Sequence, residues 1–450
     1  MDYKGKKVMV VGMAKSGLAS ARLLLDVGAK VVLYDMKTAD QFPDGTFDEF
    51  EGRAELALGA DAGAAAKSCD ALVLSPGVPT NLGFITQARA DGKSVIGEIE
   101  LGFLYSQAEF VAITGTNGKT TTTALTGEIF KNAGFVTHVL GNIGVPIAGE
   151  ALKTKKGDIV VAETAALQLD TIDTYRPHAC TVLNVTEDHL NRYITMENYT
   201  AAKELIFKNQ TPADFCVLNY DNAITRAMEG NQKSKVIWFS RKVPLPSGVS
   251  IEEGRIVSKE AGGVHAICRP EEINIPGLHN LENALAATAL ARCYGIAESV
   301  IRDTLMTFPG VEHRIEFVRE LDGIRYINDS KGTNPDATEK AADAMTRPTV
   351  LILGGYDKKN SFVSLFEGFG PLIRYVVAIG ATQQKIMSDA KTAGFGSICT
   401  ADSFEEAVQK ARGLAADGWN VLLSPACASY DMFSDFEQRG RVFKDIVNAF

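Results

Sequence analysis

Cysteine is sparse and scattered. No two of the seven cysteines in this 450-residue chain form a Cys-x-x-Cys pair. That spacing excludes a dithiol redox motif and a zinc knuckle, and it fits reduced thiols in a cytoplasm better than a disulfide framework. Long apolar runs are lacking too, and none approaches the roughly 20 residues a membrane helix needs. The opening residues, Met1-Asp2-Tyr3-Lys4-Gly5, lead straight into a strand with no secretory core. Positive charge is not in surplus. The formal net charge is −9, which disfavours a nucleic-acid partner. No repeat with a period of roughly 20–50 residues occurs, and no low-complexity tract.

What remains is a chain with 46% apolar residues, enough for several cores. A chain of this length divides into roughly two to four domains. One stretch organises it: Val111-Ala112-Ile113-Thr114-Gly115-Thr116-Asn117-Gly118-Lys119-Thr120. It reads as a short apolar strand, a glycine turn, and Lys-Thr opening a helix. Backbone N–H groups in such a turn can cradle phosphate oxygens, helped by the helix N-terminus. Lys119 would reach the terminal phosphates and the Thr120 hydroxyl would hold Mg²⁺. Ile113 stands where the strict phosphate-loop pattern has a glycine. The plainer reading is an ordinary strand-to-helix turn; the apolar strand before it and the threonines after it weigh toward phosphate.

Upstream, a strand over 7–11 is followed by Gly12-Met13-Ala14-Lys15-Ser16-Gly17, a helix over 18–27 and a second strand ending at Asp35. This βαβ unit resembles a dinucleotide fingerprint with Ala14 at the second glycine, or is simply a tight βα turn. A buried strand over 71–74 ends in Ser75-Pro76-Gly77, and the β/α pattern continues to about Gly97.

Downstream of the phosphate loop come the turn Gly141-Asn142-Ile143-Gly144, a strand ending at Glu163, and a strand over 179–185 ending at Glu187-Asp188-His189. In parallel sheets, ligands sit outside the carboxyl ends of strands. Lys119-Thr120, Glu163 and Asp188-His189 should therefore face one crevice. Glu163 and His189 suit a hard cation already ligated by nucleotide oxygens; alone, each could be a helix cap or a satisfied surface group. Lys203 falls on an apolar stripe with Tyr199, Ala202, Ile206 and Phe207. Either its stem packs while its head reaches water, or it is a buried, partly neutral amine beside the metal.

Short mixed segments over 234–269 predict hairpins. His279-Asn280 and Asn283 open an Ala-rich helix and could cap it or offer amides to a base edge. Phe308-Pro309-Gly310 marks a linker. Beyond it, strands over 324–327, 349–353, 375–379 and 420–423 end in polar clusters. The prediction is an α/β chain of three domains: a Rossmann-like domain over 1–97, a central P-loop-type ATPase domain with a parallel sheet over 98–310, and a C-terminal Rossmann-like β/α domain over 311–450.

The ordered set Gly115-Thr116-Asn117-Gly118-Lys119-Thr120, Asp188-His189-Leu190, Lys203, His279-Asn280 with Asn283, Glu312-His313-Arg314 and Asn328-Asp329-Ser330-Lys331 resembles the motifs of the Mur ligases and folylpolyglutamate synthases. Ser424-Pro425-Ala426-Cys427-Ala428-Ser429-Tyr430-Asp431, with Phe436-Glu437-Gln438-Arg439-Gly440 after it, is similar to the D-glutamate-adding branch of the Mur ligases. The resemblance runs over nearly the whole chain. It implies an ATP-dependent amide ligase that extends UDP-N-acetylmuramoyl-L-alanine with D-glutamate through an acyl phosphate, in cytoplasmic peptidoglycan precursor synthesis. It implies further that Gly12, Ala14, Lys15, Ser16, Gly17 and Asp35 hold the UDP part, that Ser75 and Gly77 lie near its phosphates, and that Asn142 and Gln168 lie near the sugar-peptide part. Gly115, Thr116, Asn117, Gly118, Lys119, Thr120, Thr121, Asn283, Arg314, Asp329 and Lys331 would bind ATP. Thr120, Glu163, His189 and a carbamylated Lys203 would serve two Mg²⁺ ions. Thr333, Lys358, Ser424 and Tyr430 would bind D-glutamate, and Lys119, Asp188, His189 and Lys203 would carry the chemistry. Small molecules are the expected partners, without nucleic acid or membrane, and a monomer is expected.

Three features depart from the resemblance. Ala165 and Ala166 stand where the family has serines in Glu163-Thr164-Ala165-Ala166-Leu167-Gln168, Asn191 stands where it has an acid, and Tyr430 stands where it has Phe. Three rivals are weighed beside it: a folylpolyglutamate-synthase-like ligase, an NAD-dependent oxidoreductase built on Gly12 to Gly17 and Asp35, and a nucleotide-switched binding module. Phosphate release that requires an added amino acid separates a ligase from the last two.

Overall fold

In the computed structural model, which describes residues 2–450 apart from the Asn191 side chain, three sheets follow one another along the chain. The first contains β1 (Lys7–Val11), β2 (Lys30–Asp35), β3 (Ala54–Leu58), β4 (Ala71–Leu74) and β5 (Ser94–Gly97), in the order β3-β2-β1-β4-β5 and parallel throughout. Its central strands are unbroken apolar runs because helices cover both faces; Val8, Val10, Leu72 and Val73 are wholly buried. Strand order reverses between β1 and β4, the place where open sheets form a ligand crevice. Gly12 and Ser75 stand at those two strand ends.

The second sheet contains β6 (Glu109–Thr114), β7 (Thr137–Gly141), β8 (Ile159–Glu163), β9 (Ala179–Val182), β10 (Phe215–Asn219), β11 (Lys235–Ser240), β12 (Gly248–Glu252), β13 (Arg255–Glu260) and β14 (Gly263–Ala266). Its order is β14-β13-β12-β11-β10-β9-β6-β8-β7. The antiparallel β12-β13-β14 meander is the hairpin region expected over 234–269. Because β8 and β9 flank β6, their carboxyl ends stand next to the phosphate loop. The expected strand over 179–185 stops at Val182, because the next residues leave the ladder to line that loop.

The third sheet contains β15 (Glu316–Leu321), β16 (Ile324–Asn328), β17 (Thr349–Gly354), β18 (Ile373–Ile379), β19 (Ile398–Thr400) and β20 (Asn420–Leu423), in the order β15-β16-β20-β17-β18-β19. Only β15 runs antiparallel.

The chain packs into two compact units: residues up to Glu272 with Glu282–Met306, and Ile273–Leu281 with Thr307–Phe450. The first two sheets share the first unit. They are stitched through the helix Glu98–Tyr105, whose Glu100 carboxylate accepts N–H bonds from Asp173, Thr174 and Tyr175 at 2.8–2.9 Å. Glu98, wholly buried, accepts the Ala148 N–H at 2.7 Å. No helix among the described residues is long and apolar enough to cross a membrane.

Candidate active site

The phosphate loop leaves β6 at Gly115 and enters the helix Lys119–Asn132. Gly118 takes the position before the helix with φ 85°, a conformation glycine adopts without strain. A side chain there would also collide with Asn283, whose Oδ1 lies 2.2 Å from where a Cβ would sit. Thus Asn283, which the sequence offered either as a cap or as a ligand, abuts the loop. Helix geometry leaves the N–H groups of Gly118, Thr120 and Thr121 without intrahelical acceptors, directed at the crevice.

Lys119 folds over its own loop and donates to the Gly115 and Thr116 carbonyls at 3.0 and 2.9 Å. Lys203 donates to the same Gly115 carbonyl at 2.8 Å. It is 1% exposed, so its head does not reach water. Burial, with the neighbouring Lys119 charge second, pushes its amine well below the usual lysine range. Its Nζ stands 4.4 Å from the centre of the Tyr199 ring. The His189 ring lies 6.0 Å from that same ring and 3.7 Å (Nε2 to Oδ2) from Asp188. Tyr199 thus joins Lys203 to the Asp188–His189 pair, where helical spacing alone had placed it beside Lys203 on an apolar stripe.

Glu163 ends β8 and is buried. One oxygen accepts the Asn142 amide at 2.9 Å, and the other is buried with no hydrogen-bond partner. Gln168 accepts the Ala165 N–H at 2.9 Å and is buried. In the Ala165-Ala166 stretch this side chain completes the start of the helix Ala166–Leu169 without a serine.

The residue missed in the sequence is Asn184. Its Oδ1 accepts the Asn117 N–H at 2.9 Å, its Nδ2 donates to the Asn117 carbonyl at 3.1 Å, and its own carbonyl accepts the Thr116 N–H at 2.9 Å. Nothing in its spacing distinguished it from a turn asparagine.

At the first sheet, the Ser75 hydroxyl donates to the Gly12 carbonyl at 2.7 Å. A Cβ on Gly17 would stand 1.8 Å from that carbonyl, so the helix Lys15–Asp26 approaches the turn as only glycine permits. Both Asp35 oxygens accept backbone N–H groups, from Met13 at 2.8 Å and Lys37 at 3.0 Å. Asp35, the acid at the end of the fingerprint-like unit, thus shapes the Gly12-Ala14 turn. Ala14, Lys15 and Gly77 are exposed, and Ser16 is half-buried. Lys15 edges a cavity of about 550 Å³ together with Arg22, Gly144 and Lys153.

In the second unit, Asp329 is wholly buried, and burial raises its carboxyl to about 6. It accepts the Ser424 hydroxyl at 2.7 Å and has Arg314 at 3.7 Å. Ser424 is 0% exposed and also bonds Thr338, which makes it part of a closed network at the ends of β16 and β20. Arg314 also lines a cavity of about 320 Å³ with Asn280, Phe317 and Arg325. Lys331 sits 5.1 Å over the Phe436 ring. Lys358 is exposed and donates to the Thr333 carbonyl at 3.4 Å. Tyr430 is exposed and packs edge-on against Tyr356, centroids 6.3 Å apart. Arg439, buried, donates to the carbonyls of Ser330, Cys427 and Ala428, and so ties the last helix to these strand ends.

Comparison with known proteins returns matches along the chain. Residues 6–97 match the Mur ligase MurD-like N-terminal domain, 113–291 the Mur ligase middle domain, and 313–427 the Mur ligase glutamate ligase domain. A UDP-N-acetylmuramoylalanine–D-glutamate ligase of Pelotomaculum thermopropionicum is 46% identical over 447 residues, covering 99% of this chain and 98% of that one. Its counterpart in Clostridioides difficile is 44% identical over 451 residues, covering 100% and 99%. Among solved structures, the UDP-N-acetylmuramate-alanine ligase of Thermotoga maritima aligns with a TM-score of 0.61 at 19% identity, covering 99% of each chain. A pseudomurein peptide ligase type C from Methanothermus fervidus aligns with a TM-score of 0.61 at 18% identity, covering 99% of this chain and 100% of that one. At such identities the two structures bear on the fold.

Proposed function

The chain belongs to the Mur ligase family, and on that premise we propose that it is an ATP-dependent ligase joining D-glutamate to UDP-N-acetylmuramoyl-L-alanine in peptidoglycan precursor synthesis. The observation that carries the reading is the Gly115–Thr120 loop, with Lys119 and Lys203 converging on the Gly115 carbonyl. The Lys119 ammonium and a helix N-terminus at one turn make a site for a polyanion, with the neutral Lys203 amine beside them.

A carboxylate is a poor electrophile and must be activated. The substrate carboxylate attacks the γ-phosphorus of ATP, the bond to the β-phosphate oxygen breaks, and an acyl phosphate and ADP result. Lys119 turns from its loop carbonyls to the transferring phosphoryl group and offsets its charge. The D-glutamate amine then attacks the acyl carbon and gives up a proton, for which Asp188 and His189 are the candidate acceptors. The tetrahedral species collapses to the amide and releases inorganic phosphate. Lys358, with Thr333 and Tyr430, orients the incoming amino acid by pairing with a carboxylate. Ser424 acts on it through the Asp329 network. Arg314, Asp329, Lys331 and Asn283 serve ATP. Gly12, Ala14, Lys15, Ser16, Gly17, Asp35, Ser75 and Gly77 serve the UDP part, and Asn142 and Gln168 the sugar-peptide part.

The residues present suit Mg²⁺. Glu163 holds a buried carboxylate oxygen that no protein group satisfies. No three His, Cys, Asp or Glu converge as a metal cage among the described residues. Glu163, the Thr120 hydroxyl, His189 and a carbamate on Lys203 would hold such a cation together with phosphate oxygens. When bound, it supplies charge stabilisation at the phosphates. We take the chain to act in the cytoplasm as a monomer.

The test is phosphate release from ATP with UDP-N-acetylmuramoyl-L-alanine while D- and L-amino acids are screened. Release is expected with D-glutamate and should fall more than about a hundredfold in Lys119→Ala. Release with a different amino acid alone would overturn the substrate assignment.

A further inference from the structure

Asn184 makes two bonds to one residue of the phosphate loop: its side-chain amide accepts the Asn117 N–H and donates to the Asn117 carbonyl. This is the pairing a neighbouring strand would supply, delivered by a side chain where β9 has already ended. The position matters because Asn117 lies between Gly115 and Gly118, both at positive φ (153° and 85°). A segment bounded by two glycines has many accessible conformations. Two bonds to Asn117, with the Thr116 N–H held by the Asn184 carbonyl, remove that freedom. The clamp also occupies the Asn117 N–H, so phosphate recognition falls to the N–H groups at the helix start.

We propose that Asn184 is a positioning residue for ATP, holding the loop in its phosphate-receiving shape before nucleotide arrives. The role rests on the ligase reading above. It is distinct from the phosphate contacts, since Asn184 acts through the Asn117 backbone. Preorganisation of this kind lowers the cost of ordering a loop on binding.

The experiment measures kcat and KM for ATP, UDP-N-acetylmuramoyl-L-alanine and D-glutamate in wild type, Asn184→Ala and Asn184→Asp. Losing both bonds should raise the KM for ATP about tenfold, with the other two KM values within about twofold. Asn184→Asp fills the same volume and keeps an acceptor, but it loses the donor and sets a negative charge beside the phosphates. It should bind ATP more weakly than Asn184→Ala, and added salt should narrow the gap. A KM for ATP within twofold of wild type in both variants, or an equal rise in all three KM values, overturns the proposal. Should neither variant fold, amide hydrogen exchange on the wild-type enzyme decides. The Asn117 N–H should be protected without nucleotide, and free exchange there overturns the clamp. A wild type that releases no phosphate under any amino acid sinks the ligase reading instead, which keeps the two failures apart.

Discussion

Burial raises the Glu98 carboxyl from the ordinary value near 4.5 to about 7, and N–H groups of Ala148 and Ile147 offset only part of that cost. The folded state therefore holds a proton more tightly than the unfolded chain does. The contribution to stability is complete below about pH 4.5 and is lost as pH rises through about 7. Glu98→Gln keeps an acceptor for Ala148 and removes the charge. It should stabilise the protein at pH 8 by on the order of 3 kcal/mol and leave it unchanged near pH 4, as read by urea unfolding at both values. Lys203 illustrates the opposite sign: its buried amine favours the neutral form, the form that reacts with CO₂. Labelling with ¹³C-bicarbonate should give a carbamate signal that Lys203→Arg abolishes, and an unlabelled wild type would remove the carbamate from the metal shell. Lys358 is exposed, so its reversal should spare the fold. Lys358→Glu should raise the KM for D-glutamate at least about tenfold with the UDP-substrate KM unmoved, and equal damage to both would cancel its role.

Among elements, strands buried on both faces were the most legible, because a parallel sheet under helices needs continuous apolar runs. β1, β4 and β20 fall where those runs predict. β15 did not stand out, since Glu316-Phe317-Val318-Arg319 is a polar edge whose register shifts between Phe317 and Arg319. The helix after β1 starts at Lys15 rather than Leu18, because Gly17 read as turn punctuation. Its function is contact: with a Cβ placed 1.8 Å from the Gly12 carbonyl, Gly17→Ala should cost about 3 kcal/mol or more and weaken UDP-substrate binding, checked by denaturation and titration. The glycine turn before the helix Lys119–Asn132 and the place of Glu163 at the end of β8 were legible from the strand pattern. Burial of Lys203 was half-legible, since stripe position fits both a snorkelling and an enclosed amine. The Asn184 clamp was not legible at all, because its meaning lies in a partner 67 positions away.

For the whole molecule, the second unit is discontinuous in sequence, taking Ile273–Leu281 from the middle of the chain. Ile275 is buried there, and a Cβ on Gly310 would lie 3.4 Å from its Cγ2. A fragment of residues 307–450 loses that cover. It should melt below a fragment of residues 273–450, by thermal denaturation at equal concentration, and equal melting would show the stretch to be dispensable. The order of the third sheet has a further consequence. β20, the last strand made, lies between β16 and β17, both of which emerge from the ribosome much earlier. Until it arrives, β15-β16 and β17-β18-β19 have no strand to join them. A nascent chain broken off before Asn420 therefore leaves two open sheet edges, the kind of surface that quality-control proteases and chaperones engage.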